Sequence, residues 1–306
     1  MRTLLSLLAP YAALGLAMAI VGSSVVVGKI VTLEMPVFLA STLRFGLAAA
    51  VLVPLLWRAE HGLPRLALRS WVLLGVQALC GGFLFTVFTL YGLRTASAAS
   101  AAVITSTAPA WIGLLAWALL RERPSPATWL SLVCAVAGIA ALNLPEPNAA
   151  AASTDHGQAW GSLLLLAAVV FEAFFLLLRK FIRDPLSPLA ASTLLTLFGL
   201  IFFAPFGAVE ALSYDLRSTS VAGWACVVYY SLCVTVLAYL LWLAGIVRVA
   251  ASRAGVFTAI MPLSGLALSA VLLGERLDWR HGLGLGCVCL ALLLPCVGWR
   301  QRRAAS

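Results

Sequence analysis

The sequence predicts an all-α membrane protein of ten transmembrane helices, arranged as two inverted five-helix repeats, and three observations carry that prediction. First, 63% of its 306 residues are hydrophobic and only 10% are charged, with a mean hydropathy of +1.05. A soluble domain carries about 25% charged residues, so too little polar surface remains to face water on every side. Second, one long stretch occurs twice, as GLRTASAASAAVITSTAPAWIGLLAWALLRER from Gly92 and GIVRVAASRAGVFTAIMPLSGLALSAVLLGER from Gly245. Each copy opens on a Gly, carries a Pro within it (Pro109, Pro262) and closes on Glu-Arg (Glu122-Arg123, Glu275-Arg276), with an offset of 262 − 109 = 275 − 122 = 153 residues. Third, basic residues alternate from loop to loop along the chain.

Apolar runs near the roughly 20 residues that span a bilayer core fall at 9–30, 36–57, 71–91, 97–120, 127–144, 159–180, 187–208, 221–243, 254–273 and 281–299. The first run resembles a signal peptide in composition, but no soluble domain follows it, and it is read as an uncleaved span. Residues 1–144 hold spans 1–5 and residues 159–306 hold spans 6–10. Between them Pro145–Gln158 (PEPNAAAASTDHGQ) has the composition of a flexible joint. Trp57, Trp71, Trp129, Trp160, Trp224 and Trp299 stand near span ends, where amphipathic rings anchor at the interface. Seven scattered Cys read as small apolar residues within spans, with no metal-binding spacing. Gly282 and Gly286 in span 10 form a small-xxx-small pair suited to scaffold or dimer packing.

Orientation follows from Lys and Arg. With the N-terminus in the cytoplasm, the inner loops and tails hold 14 basic residues and the outer loops five (Lys29, Arg94, Arg217, Arg276, Arg280). Both termini are therefore expected inside. Five spans per half is an odd number, so the second half lies upside down relative to the first. The charges agree: the loop after span 2 is basic, whereas its counterpart after span 7 carries Glu210 and Asp215. Inverted repeats of this kind belong to secondary transporters, in which two similar halves expose a central site to each face in turn.

The elements GSSVVVGK (22–29), PVFLASTLRFGLAAAVL (36–52), WGSLLLLAAVVFEAFFLLLRK (160–180) and the two repeat stretches resemble, in that order, the EamA repeat of the drug/metabolite transporter superfamily. The resemblance covers nearly the whole chain. It implies ten spans, an inner-membrane location and export of small metabolites, and within the superfamily it is nearest to the bacterial amino-acid and aromatic-metabolite exporters. Arg121 departs from the pattern where the second copy has the more usual Gly274.

Two charged residues lie within spans. Glu172 in span 6 costs roughly 2.5–3.5 kcal/mol at that depth if ionised, and reads either as a proton-coupling or ammonium-binding carboxylate or as a protonated Glu bonded to a neighbouring helix. Arg44 in span 2 reads as a holder of a substrate carboxylate or as a structural tie to a helix end. Pro109 and Pro262 each remove a helix hydrogen bond and, at matched places in two halves, are candidate hinges, with packing kinks as the alternative. Ser23, Ser24, Gln77, Thr105, Ser106, Thr258 and Ser264 are candidate cavity residues. Gln77 is foremost as the single deep amide; Ser and Thr more often bond their own helix. Phe85, Phe88, Tyr91, Trp111, Phe171, Phe175, Tyr230, Tyr239 and Trp242 are candidates for an aromatic wall that suits large or aromatic amino acids. For each of these, core or lipid packing is the plain alternative.

An intramembrane enzyme is the main competing class, yet His61, His156 and His281 all lie in or beside loops without a second ligand at helical spacing. No cofactor or metal is expected. The basic residues are scattered singly, which speaks against nucleic acid. A passive channel would share the fold and would lack saturation and trans-stimulation. The expected partners are an amino acid or related metabolite, membrane lipid and, as a candidate coupling ion, the proton, in a monomer or weak homodimer.

Overall fold

The computed structural model describes residues 2–105, 107–120, 129–130, 133, 137, 156–246, 257, 260–279, 281–283 and 285–286. Helix α1 spans Arg2–Glu34 and α2 Val37–Glu60. Helix α3 is continuous over Leu68–Thr95, with a π-helical segment at Leu79–Leu84. Two short helices follow, α4 (Ala98–Thr105) and α5 (Ala108–Leu120). Then come α6 (His156–Leu178) and α7 (Pro188–Ser213). Helix α8 runs through Val221–Tyr229, a second π segment at Tyr230–Leu237, and Ala238–Ile246. Helix α9 is Ile260–Leu273. Among the described residues there is no strand. Six helices are long and apolar enough to cross a membrane (α1 from Pro10, α2, α3, α6, α7 and α8), and α9 is a shorter apolar helix. The chain is a multi-pass helical membrane protein. The spans expected at 127–144 and 281–299 fall largely outside the described residues.

Helix ends follow their local chemistry. Ser187 Oγ accepts from Ala190 N, with Pro188 at the first helical position of α7, and Ser220 Oγ accepts from Gly223 N at the start of α8. At the end of α2, His61 takes a left-handed φ of 59° and donates its N–H to Trp57 O. Gly274 ends α9 at a φ of 64°, which glycine adopts without a Cβ penalty. The span expected at 97–120 is broken between α4 and α5. Thr107 lies in a turn, and Pro109 stands in the first turn of α5, where a missing N–H costs no helix hydrogen bond. Thr105 Oγ1 bonds back to Ala101 O at 2.8 Å and Thr107 Oγ1 to Ile104 O at 2.7 Å, serving carbonyls near the break.

The packing repeats as the sequence does. Gly92 of α3 lies against Gly161 and Leu165 of α6, while Gly245 of α8 lies against Pro10 and Leu14 of α1. Two groups result, α3–α6 from the first repeat into the second, and α1 with α8 and α9. Between α2 and α7, Phe38, Phe45 and Phe203 interleave with Phe83 of the α3 π segment; the Phe45 and Phe203 rings stack at 5.5 Å between centroids. Helix α1 meets α9 at Gly22, where a Cβ would stand 2.0 Å from Ser264 Oγ and 2.2 Å from Met261 O. Gly22→Ala is expected to cost about 1–3 kcal/mol of stability through overpacking, read as a lowered melting temperature in detergent. Gly46→Ala, whose Cβ would meet only Leu200 at 3.8 Å, should be nearly silent.

Candidate functional site: an interior cation between the repeats

Polar contacts draw the helix ends together at the membrane face where α1 turns into α2. Glu34 O accepts from Tyr214 Oη at 2.5 Å, and its carboxylate accepts from Ser220 N at 3.1 Å. Glu210 accepts the Leu39 N–H at 2.7 Å. Lys29 Nζ donates to the carbonyls of Leu93 and Ala96, the latter at 2.8 Å, covering the open end of α3. Both Glu275 carboxylate oxygens accept backbone N–H groups at the start of α4, from Ala98 and Ala99, at 2.8 Å each. A residue of the second repeat thereby holds the first turn of a helix in the first repeat, where anions are favoured. Beneath this clasp Gly265 of α9 packs on Ala102 of α4.

Below it lies a cavity of about 10 Å³, close to what one water needs, lined by Val31 of α1, Ser41 and Arg44 of α2, Leu90 of α3, and Val227 and Tyr230 of α8. Arg44 is held on three sides. Its Nε donates to Thr235 Oγ1 at 2.9 Å, its guanidinium carbon lies 4.0 Å from the Tyr230 ring centroid and 5.0 Å from that of Phe45, and its backbone carbonyl accepts from Ser231 Oγ at 2.8 Å. The π segment of α8 makes this possible. Its widened turn brings Thr235 Oγ1 within 3.0 Å of Tyr230 O, which orients the hydroxyl oxygen toward Arg44. No carboxylate of the described residues pairs with Arg44.

The two π segments are themselves matched. They end at Leu84 and Leu237, and 237 − 84 = 153, the offset of the sequence repeat. Such bulges occur disproportionately at functional sites. At the same offset Gln77 corresponds to Tyr230.

Further buried polar atoms without partners lie on α3, α5 and α6. Gln77 is buried and donates from Nε2 to Phe175 O at 2.9 Å, leaving its Oε1 without a partner. Trp111 Nε1 and Glu172 Oε2 are also buried with no hydrogen-bond partner. Phe175 packs its ring on Gly81 of the α3 π segment, and Phe88 stacks on Phe171 at 5.4 Å. Replacing Gln77 with Leu removes a donor and an orphaned acceptor together, and is expected to change stability by less than about 1 kcal/mol; melting curves beside transport rates would separate a structural from a transport role.

The other sequence-derived candidates are dispersed. Ser23 Oγ bonds Ile20 O at 2.7 Å and Tyr229 Oη at 2.8 Å; Ser24 is half-buried on α1. Thr105 bonds its own helix, as does Ser264, to Met261 O at 2.9 Å. Tyr91 stacks near Phe38 and under Arg94, while Phe85 and Tyr239 are half-buried on α3 and α8. Trp242 packs on Leu14. Pro262 is buried in the first turn of α9. Ser106 and Thr258 lie outside the described residues. Ser41, Ser231, Thr235, Lys29 and Glu275 do not stand out in the sequence as site residues, because short hydroxyl residues abound in the spans and the last two read as loop charges.

A helical bundle built twice over in the membrane and closed around an interior cation is the architecture of a membrane transporter. The comparisons agree. The model of the EamA-like transporter family matches residues 9–144 and again 159–295, and the chain belongs to that family, within the drug/metabolite transporter superfamily. It is 41% identical over 291 residues to the uncharacterized transporter YetK of Bacillus subtilis (strain 168), covering 95% of this chain and 88% of the relative. It is 26% identical over 309 residues to the uncharacterized transporter sll0355 of Synechocystis sp., covering 96% and 89%. A chain of known crystal structure superposes with a TM-score of 0.63 at 20% identity, over 92% of this chain and 95% of that one; this last likeness concerns the fold alone.

Proposed function

We propose that the protein is a secondary transporter that exports small metabolites, amino acids foremost, across the bacterial inner membrane by alternating access. The observation that carries this reading is the Arg44–Tyr230 cavity, set where helices of both repeats meet and beside one of two π segments matched at the repeat offset. The narrowing to amino acids rests on the motif resemblance to the bacterial amino-acid and aromatic-metabolite exporters. The loop charges support cytoplasmic termini and an inverted second repeat, which places the Lys29–Glu275 clasp on the periplasmic side. Residues 1–144 and 159–306 act as the two moving halves, with 145–158 as their joint, and the α4–α5 break near Pro109 and the start of α9 near Pro262 serve as hinges. Glu172 is the candidate for proton coupling.

Counterflow into proteoliposomes tests the reading. Liposomes preloaded with amino acids, amines or organic acids in turn should accumulate the matching labelled solute only where it is a substrate, with saturation and trans-stimulation. Accumulation linear in concentration and indifferent to the internal solute would mark a channel. Counterflow of other solutes but of no amino acid would remove the amino-acid assignment.

A further inference from the structure

We infer that Arg44 binds the carboxylate of a small monoanionic substrate, and that this cavity recognises the carboxylate without recognising an amino group. The inference rests on the transporter reading above and narrows its substrate class. A guanidinium inside a membrane protein is costly and keeps its proton, so it needs carbonyls, a carboxylate or water. Here its Nε is spent on Thr235 Oγ1 and one face on Tyr230. Those contacts fix the plane of the group, yet neither brings a negative charge, and no acidic side chain lines the cavity. Thr235 and Ser231 tie the same arginine to α8 from both its side chain and its backbone, so the cation is positioned rather than loosely stored. A planar fork held in this way suits two-point binding of a carboxylate.

The rest of the lining sets the other half of the specificity. Val31, Leu90 and Val227 are apolar, and Ser41 spends its hydroxyl on Val37 O at 2.7 Å. An ammonium group would meet no carboxylate there. The cavity of about 10 Å³ has room for about one water in this closed form, so the carboxylate end of the substrate enters it as the two halves open. The expected ligand is a monoanion whose amino group, if present, contributes little.

A matched set of three probes tests this on the purified full-length protein in lipid nanodiscs, by titration calorimetry. Valine carries both poles, 3-methylbutanoate lacks the ammonium, and isobutylamine lacks the carboxylate. Valine and 3-methylbutanoate are expected to bind within about threefold of each other, and isobutylamine at least about 30-fold more weakly, the range expected when one partner of a buried charge pair is removed. Arg44→Gln should weaken both acids by a similar factor. Arg44→Lys keeps the positive charge without the planar fork; it should lose less and, with gel filtration and circular dichroism, guards against misfolding as the cause. Equal binding of the amine and the acid, binding of 3-methylbutanoate unchanged by Arg44→Gln, or no binding of either acid would each overturn the assignment. Arg44-dependent binding of 3-methylbutanoate without binding of valine would uphold it and remove the amino-acid reading instead.

Discussion

Replacing Glu275 with alanine is expected to unlatch the face at which α1 turns into α2. The two oxygens of this carboxylate accept the Ala98 and Ala99 N–H groups, and its charge acts on Lys29, which covers the end of α3 two residues before. Those N–H groups belong to the first turn of α4 and have no partner within the helix. Hydrogen bonds to a charged group contribute about 2 kcal/mol in total to such a contact, which is roughly a 30-fold shift in the balance between clasped and open forms. In a background lacking native cysteines, Leu90→Cys places a thiol on the cavity wall. Membrane-impermeant maleimide applied from the clasped side should label it roughly 30-fold faster once Glu275 is alanine. Turnover should fall, because the open form is then too stable to leave. Unchanged labelling with normal transport would mean that the contact is ornamental.

Glu172→Gln is expected to separate energy coupling from carriage. The side chain is half-buried on α6, and its Oε2 has no hydrogen-bond partner. An ionised carboxylate in that position is unsupported by any nearby cation among the described residues, so gaining and losing a proton there carries a large energetic consequence. Gln preserves shape and removes the titration. Uptake driven by an imposed pH gradient should fall to the level of protein-free liposomes, whereas counterflow, which needs no net proton movement, should stay within about twofold of wild type. Retention of gradient-driven uptake would dismiss Glu172 from the mechanism.

How much of this was legible in the chain differs between fold and site. Apolar runs, Lys and Arg placement and the doubled stretch marked the long helices, since each feature reports a bulk solvent preference. The expected helix ends are approximate: α1 spans Arg2–Glu34 rather than 9–30, and α7 ends at Ser213 rather than 208. The π segments were not legible. LCGGFL and YSLCVTVL have no shared composition, and a π turn arises from tertiary demands such as seating Phe175 on Gly81 or bringing Thr235 to Arg44. Arg44 stood out because a charge in an apolar run always does. Its neighbours Ser41, Ser231 and Thr235 did not, since hydroxyls in spans are common and their partners come from another helix. Lys29 reads as a topology marker and Glu275 as the close of the second repeat copy, and only the meeting of α1, α4 and the end of α9 turns them into a clasp. Pro109 reads as lying mid-helix; in the structure it stands in the first turn of α5, after the turn at Thr107.

The central claim is that the two faces open in alternation. Paired spin labels test it directly, on a background without native cysteines, by electron–electron double resonance. One pair, Thr95→Cys with Leu277→Cys, spans the clasped face between α3 and the segment after α9. The other, Ala12→Cys with Leu119→Cys, spans the opposite face between α1 and α5; all four sites are exposed or partly exposed. A change of pH or addition of a transported solute should lengthen the first distance while shortening the second, with the two populations exchanging in step. Two distances that stay fixed, or that lengthen together, would contradict alternating access.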